Sequence, residues 1–120
     1  MKNNRTTTIA FDVDGTLVIW DRKSGRQVPN YDIINLLRFY NKELKCRIIV
    51  WSGGGIEYAR QWVDKLGISA QVMKKGAITP DIAYDDENVE LGMVNINVTN
   101  ADSAPVSVQH ALSQGNTNGS

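Results

Sequence analysis

Cysteine is nearly absent from this chain. Cys46 is the only one in 120 residues, so no internal disulfide can form. Its place just before an apolar run predicts a packed side chain rather than a reactive one. Histidine is equally scarce. The single His110 lies in a polar C-terminal stretch and is not expected to catalyse. No apolar run is long enough to span a bilayer. The opening MKNNRTTTIAF lacks the apolar core and cleavage site of a signal peptide, so a cytoplasmic protein is expected. Net charge is missing as well: 13 basic and 13 acidic residues cancel. Nothing global therefore attracts the chain to nucleic acid or membrane. Basic residues also stop abruptly. Beyond Lys75 there is no Lys or Arg, while Asp81, Asp85, Asp86, Glu87, Glu90 and Asp102 all follow. That asymmetry predicts a fold that pairs opposite charges, or a cation held by the acids.

What is present fits a soluble globular chain, with 42% apolar and 22% charged residues. The length suits one domain with a substantial core. TTTIAF (6–11) is β-branched and apolar and reads as a buried strand. LVIW (17–20) and RQV (26–28) flank the polar DRKSG, the pattern of a hairpin flap. From Tyr31 to Leu44, Ile33, Ile34, Leu36, Leu37, Tyr40 and Leu44 recur at helical spacing. RIIVW (47–51) is a second apolar strand, and SGGG (52–55) leads from it into a helix over Ile56–Leu66. Gly67 closes that helix. AQVM (70–73), DIAYDD (81–86) and a weak MVNINV (93–98) complete the strands. Trp51 and Trp62 are expected in the core. Apolar strands alternating with helices predict an α/β fold with a mostly parallel sheet covered on both faces. Residues 1–99 would form the one domain. Residues 100–120 are polar and poor in core material, and Ser103 and Pro105 would start at most one short helix through Leu112.

Chemistry concentrates at strand ends. In AFDVDGTLVIW (10–20), an apolar run delivers Asp12 and Asp14 two residues apart, then Gly15 and Thr16. Buried charges are costly unless paired, hydrogen-bonded or metal-bound. Ser52 ends the second strand, Lys74 and Lys75 follow the third, and Asp85 and Asp86 end the fourth. Ligands of parallel α/β sheets bind outside the carboxyl ends of the strands, so four strands deliver polar groups to one edge. Clustered carboxylates with oxygen-only donors suit Mg²⁺, which completes its shell with water and substrate phosphate. SGGG opening a helix offers N–H groups and a positive dipole end to the same anion. It is no P-loop, because SGGGIEYAR lacks the Gly-Lys-Ser/Thr ending. With no catalytic histidine, the nucleophile is expected to be a carboxylate. A second Asp two residues on would protonate the leaving group and then activate water.

The set DVDGTL (12–17), VWSGG (50–54), Lys75 and DIAYDD (81–86) resembles the four motifs of the haloacid dehalogenase-like (HAD) hydrolase superfamily. The resemblance covers roughly Thr7 to Gly92; the third motif matches only as a lysine. It implies a single Rossmann-like three-layer domain. It makes Asp12 the nucleophile, Asp14 the general acid/base and Ser52 a phosphoryl ligand. Lys75 would steady the nucleophile and phosphoryl charge, with Lys74 the alternative. Gly15, Thr16, Ser52, Gly53 and Gly54 would line the phosphate. Asp12, the Asp14 carbonyl and Asp85 or Asp86 would hold Mg²⁺. Dehalogenases of the family lack the second aspartate of the first motif, so Asp14 implies a phosphatase acting through an aspartyl phosphate.

Many members insert a cap domain after the first motif or between the second and third. Here those gaps hold only the hairpin, two helices and a short strand, which predicts no cap domain. An open site suits a bulky phosphorylated substrate, or one enclosed by a second copy in a homo-oligomer. Trp20, Arg22, Lys23 and Arg26 of the hairpin are then candidate substrate contacts. Neutral net charge does not indicate nucleic acid. Two rivals remain. A signalling receiver domain uses similar residue types but places its acid pair early and its phosphoacceptor at a middle strand, where this chain has Ser52. A non-catalytic phosphate- or partner-binding module would keep the residues and bind without turnover.

Overall fold

The computed structural model describes residues 5–99. Asp102, His110 and the helix expected from Ser103 to Leu112 lie outside them. The elements run β1 (Thr8–Asp12), β2 (Val18–Asp21), β3 (Arg26–Pro29), α1 (Tyr31–Lys42), β4 (Arg47–Trp51), α2 (Ile56–Leu66), β5 (Gln71–Val72), β6 (Ile82–Asp85) and β7 (Val94–Asn97).

Five strands form one parallel sheet in the order β5-β4-β1-β6-β7, and β2 and β3 form a separate antiparallel hairpin. Counting only the main-sheet strands, the order is 3-2-1-4-5. This is the Rossmann-type order, whereas receiver domains follow 2-1-3-4-5. The rival receiver reading therefore fails on topology. The same order sets a switch point: the chain steps from β1 toward β4 and β5, then returns to build β6 and β7 on the other side. Ligand crevices form where that reversal occurs, at the carboxyl ends of β1 and β6.

Register fixes the two faces. Ile9 aligns with Ile48 and Ile82, and Phe11 with Val50 and Tyr84. Those side chains share the core with Ile34 and Leu37 of α1 and Ala59 and Val63 of α2. Phe11 stacks on Tyr84 at 4.9 Å, and Tyr40 of α1 shares a 2.7 Å hydrogen bond between hydroxyls with Tyr84. The opposite face carries Ala10, Ile49 and Trp51, covered by Met73, Ile78 and Leu91 from loops.

Here the fold departs from expectation. Among the described residues both helices lie on one face, so there are two layers with a loop cover rather than three. The reason is topological. Both helical crossovers, β1 to β4 and β4 to β5, step in the same direction, and crossovers of one hand then fall on one side. The return from β5 to β6 carries no helix. β7 is exposed along its whole length, and Met93 beside it is 77% exposed. Helix α1 also stops at Lys42, and Leu44 is exposed rather than a core position. Helix α2 ends as expected, with Gly67 left-handed at φ 64°. Cys46 and Trp62 pack against the core, and Trp51 is fully buried.

Candidate active site

Strand β1 is buried at every position and delivers Asp12 to the switch point with only 5% exposure. Beyond it the chain reverses in a tight knot. The N–H groups of Thr16, Leu17 and Val18 all donate to the Val13 carbonyl, and Gly15 N–H donates to the Val18 carbonyl. Gly15 sits in the left-handed region at φ 78°, where L side chains are strained. A Cβ there would also lie 2.1 Å from Oδ2 of Asp86. Glycine is thus required twice, for the turn and to let Asp86 approach.

β4 delivers Ser52, which is buried and accepts the Gly54 N–H at 2.9 Å through Oγ. That contact leaves the hydroxyl hydrogen to donate into the cleft. After β5, Ala77 N–H donates to the Lys74 carbonyl and Gly76 is left-handed at φ 85°. Lys75, on this turn, reaches back over the sheet edge while Lys74 is exposed. Its Nζ lies 3.2 Å from Oδ1 of Asp12 and 2.7 Å from Oδ2 of Asp85. β6 carries Asp85, 3% exposed, level with Asp12 on the same face of the sheet. Oδ1 of Asp85 accepts the Glu87 N–H at 2.9 Å. Its Oδ2 makes the ion pair but meets no donor in hydrogen-bonding geometry.

The result is a cleft of about 260 Å³ lined by Asp12, Asp14, Ser52, Gly53, Gly54, Lys75, Asp86 and Glu87. Carboxylate oxygens of Asp12, Asp85 and Asp86 all lie within 4.8 Å of one another, close enough to hold a metal ion. Electrostatics record the crowding. Burial, and then the neighbouring Asp85, push the Asp12 carboxyl up to about 7, although Lys75 opposes them. Asp86 is raised too, by burial and then by Asp85. Burial pulls the Lys75 ammonium down, but Asp85 and Asp12 outweigh it and hold the group above its ordinary value. One ammonium faces four lining carboxylates, so an anionic phosphate would be repelled unless a cation joined it. Oxygen-only donors converging within 4.8 Å fit a hard divalent cation at this position.

Most of the expected site residues converge. Thr16 does not: it is wholly buried, its Oγ1 has no hydrogen-bond partner, and its carbonyl accepts Asn30 Nδ2 at 3.0 Å. Gly15 shapes the turn instead of lining the cleft. The Asp14 carboxylate lines the cleft but stands outside the three-carboxylate cluster. It is held elsewhere: Tyr58 Oη donates to its Oδ1 at 2.6 Å and Gln27 Nε2 to the same oxygen at 2.8 Å. Burial, followed by the bond to Asp14, raises the Tyr58 phenol, which keeps it a donor near neutral pH. Tyr58, Gln27 and Glu87 were not foreseeable as site residues from motif spacing. The one available signal was a hydroxyl-bearing aromatic in the first turn of the helix after SGGG.

Asp81 is a contrast. It accepts Arg5 at 2.8 Å and the Thr8 N–H at 2.7 Å, away from the cleft at the start of β6. Arg5–Asp81 and Lys75–Asp85 pair two acids of the C-terminal part with bases of the earlier part. Among the described residues no helix is long and apolar enough to cross a membrane. No family model, curated protein or solved structure matches the chain.

Proposed function

We propose that this chain is a Mg²⁺-dependent phosphohydrolase of the HAD type, acting in the cytoplasm through an aspartyl-phosphate intermediate. The observation that carries the reading is the ammonium of Lys75, set between Asp12 and Asp85 at the topological switch point. A lysine in that position neutralises a nucleophilic carboxylate without blocking it. Asp14 and Ser52 flank the same cleft.

In the reaction an oxygen of Asp12 bonds to phosphorus as the bond to the leaving oxygen breaks. The departing electron pair takes the proton carried by Asp14. Water then attacks the phosphorus, Asp14 accepts its proton, and the bond from phosphorus to Asp12 breaks to release phosphate. Ser52 and Lys75 bind the phosphoryl oxygens throughout. Mg²⁺, held by Asp12 with Asp85 or Asp86, would supply charge neutralisation to the phosphoryl group. Asp12, raised to about 7 by burial and Asp85, would be favoured as the anionic nucleophile by the positive charge of a cation held there.

Only the β2–β3 hairpin, α1, α2 and β5 occupy the segments where a cap would be inserted. An uncapped cleft of this kind supports a bulky phosphorylated substrate, or a smaller one enclosed by a second copy. The decisive experiment measures phosphate release from p-nitrophenyl phosphate and a panel of phosphorylated compounds, with and without Mg²⁺. Release that requires Mg²⁺ and disappears in Asp12→Asn is expected. Mg²⁺ binding with no release from any compound would instead support a binding module without turnover.

A further inference from the structure

The geometry points to Tyr58 and Gln27 as positioning residues that clamp Asp14 and present its second oxygen to the leaving group. The inference rests on the phosphohydrolase reading and adds to it the way the proton donor is aimed.

Asp14 lies on an exposed turn, where an unrestrained carboxylate would sample several rotamers. Instead it receives two donors from two elements remote in sequence. Tyr58 comes from the first turn of α2 and Gln27 from β3 of the hairpin, at 2.6 and 2.8 Å. Both donate to Oδ1. A carboxylate oxygen has two lone-pair sites, and this one has both filled. A proton on the carboxyl must therefore sit on Oδ2, and Oδ2 is the atom left to face the leaving oxygen. The Tyr58 ring lies close against Gly54, where a Cβ would fall 3.1 Å from it, so glycine leaves the ring its room. Gln27 is held by its register opposite Trp20 in the hairpin. Gly54 and the hairpin after β1 thus serve one oxygen of one side chain.

A clamp on the proton donor has a signature that a merely structural contact lacks. When the P–O bond breaks, a poor leaving oxygen needs a proton and a good one does not. Positioned proton transfer is worth roughly 100-fold at its lower range. Loss of the clamp should therefore be felt by esters of weakly acidic alcohols and hardly by activated ones. The step from free enzyme to phosphorylated Asp12 is isolated in kcat/KM, so later hydrolysis of the intermediate does not enter.

The test compares kcat/KM for phenyl phosphate and p-nitrophenyl phosphate, esters of similar shape but unequal leaving-group acidity. Wild type, Tyr58→Phe, Gln27→Met and Asp14→Asn would be measured with Mg²⁺, with thermal melts as a check on folding. Tyr58→Phe keeps the ring and removes only the hydroxyl. The expected result is a fall of roughly 30- to 100-fold on phenyl phosphate and under about threefold on p-nitrophenyl phosphate. Gln27→Met should show the same selectivity more weakly, and Asp14→Asn more strongly. Equal falls on both esters in both clamp variants would overturn the inference while leaving the hydrolase intact. No turnover of either ester by the wild type would instead remove the phosphohydrolase reading, and the clamp with it.

Discussion

Replacing Asp12 with Asn should make the metal-free protein more stable while removing its activity. The carboxyl is buried beside Asp85 and is pushed from 3.8 up to about 7 even with Lys75 in contact. Ionising it inside the fold therefore costs up to about 4 kcal/mol more than ionising it in water. Because its folded-state value is raised, the favourable contribution of this group is complete below pH 3.8 and lost as pH rises through about 7. Asn has nearly the same shape and never ionises, so the variant escapes that cost. The charged contact with Lys75 is already contained in that value, so the net gain is roughly 2–4 kcal/mol at pH 8. For a domain of this size that corresponds to about 10 °C in melting temperature. Thermal melts of both proteins in EDTA at pH 4, 6 and 8 would read it. The two curves should nearly coincide at pH 4, separate at pH 6 and be furthest apart at pH 8. Saturating Mg²⁺ at pH 8 should then raise the wild type and narrow the gap. A gap of constant size at all three pH values, or a variant less stable at pH 8, would refute the reasoning.

Other substitutions probe the same arrangement. Lys75→Met leaves Asp12 and Asp85 without their counter-charge and should destabilise the fold by about 2–4 kcal/mol at pH 8, less at pH 6 where Asp12 takes up a proton; denaturant unfolding at the two pH values checks this. Gly15→Ala should cost about 1–3 kcal/mol, because φ 78° strains the new side chain and Asp86 must move aside; Mg²⁺ affinity by calorimetry should fall with it. Asp86→Asn should weaken Mg²⁺ binding at least tenfold without lowering the melting temperature of the metal-free protein, since one of three crowded carboxylates is neutralised. Thr16→Val should leave turnover within about twofold and leave stability unchanged or improved, as its buried hydroxyl has no partner.

Much of this arrangement is legible along the chain because strand ends are legible. Asp12, Ser52 and Asp85 each terminate an apolar run, and a parallel sheet brings such ends to one edge whatever the detailed packing. Spacing to the fourth motif favours Lys75 over its neighbour Lys74, but spacing does not show which of the two side chains reaches the cleft. The turn around Gly76 decides between them, and that turn is a matter of local backbone geometry. Thr16 reads like a phosphate ligand because it follows the acid pair, yet the knot of N–H groups on the Val13 carbonyl turns it inward. The clamp on Asp14 is invisible to spacing. It depends on hairpin register and on how α2 docks, and both are tertiary outcomes. The same holds for the two-layer arrangement of the described residues. Alternating strands and helices predict crossovers, but only the strand order shows that two of them fall on one side while the return loop carries none.

The central claim is that Asp12 becomes covalently phosphorylated, and it is tested most directly on the protein itself. The wild type would be mixed with p-nitrophenyl phosphate and Mg²⁺, quenched during turnover and treated with borohydride, which reduces an acyl phosphate to the alcohol. Peptide mass spectrometry would then locate the reduced residue. Homoserine is expected in place of Asp12, with Asp14 unchanged and no product when Mg²⁺ is omitted. Phosphate release with Asp12 unmodified, or reduction at Asp14 instead, would contradict that claim.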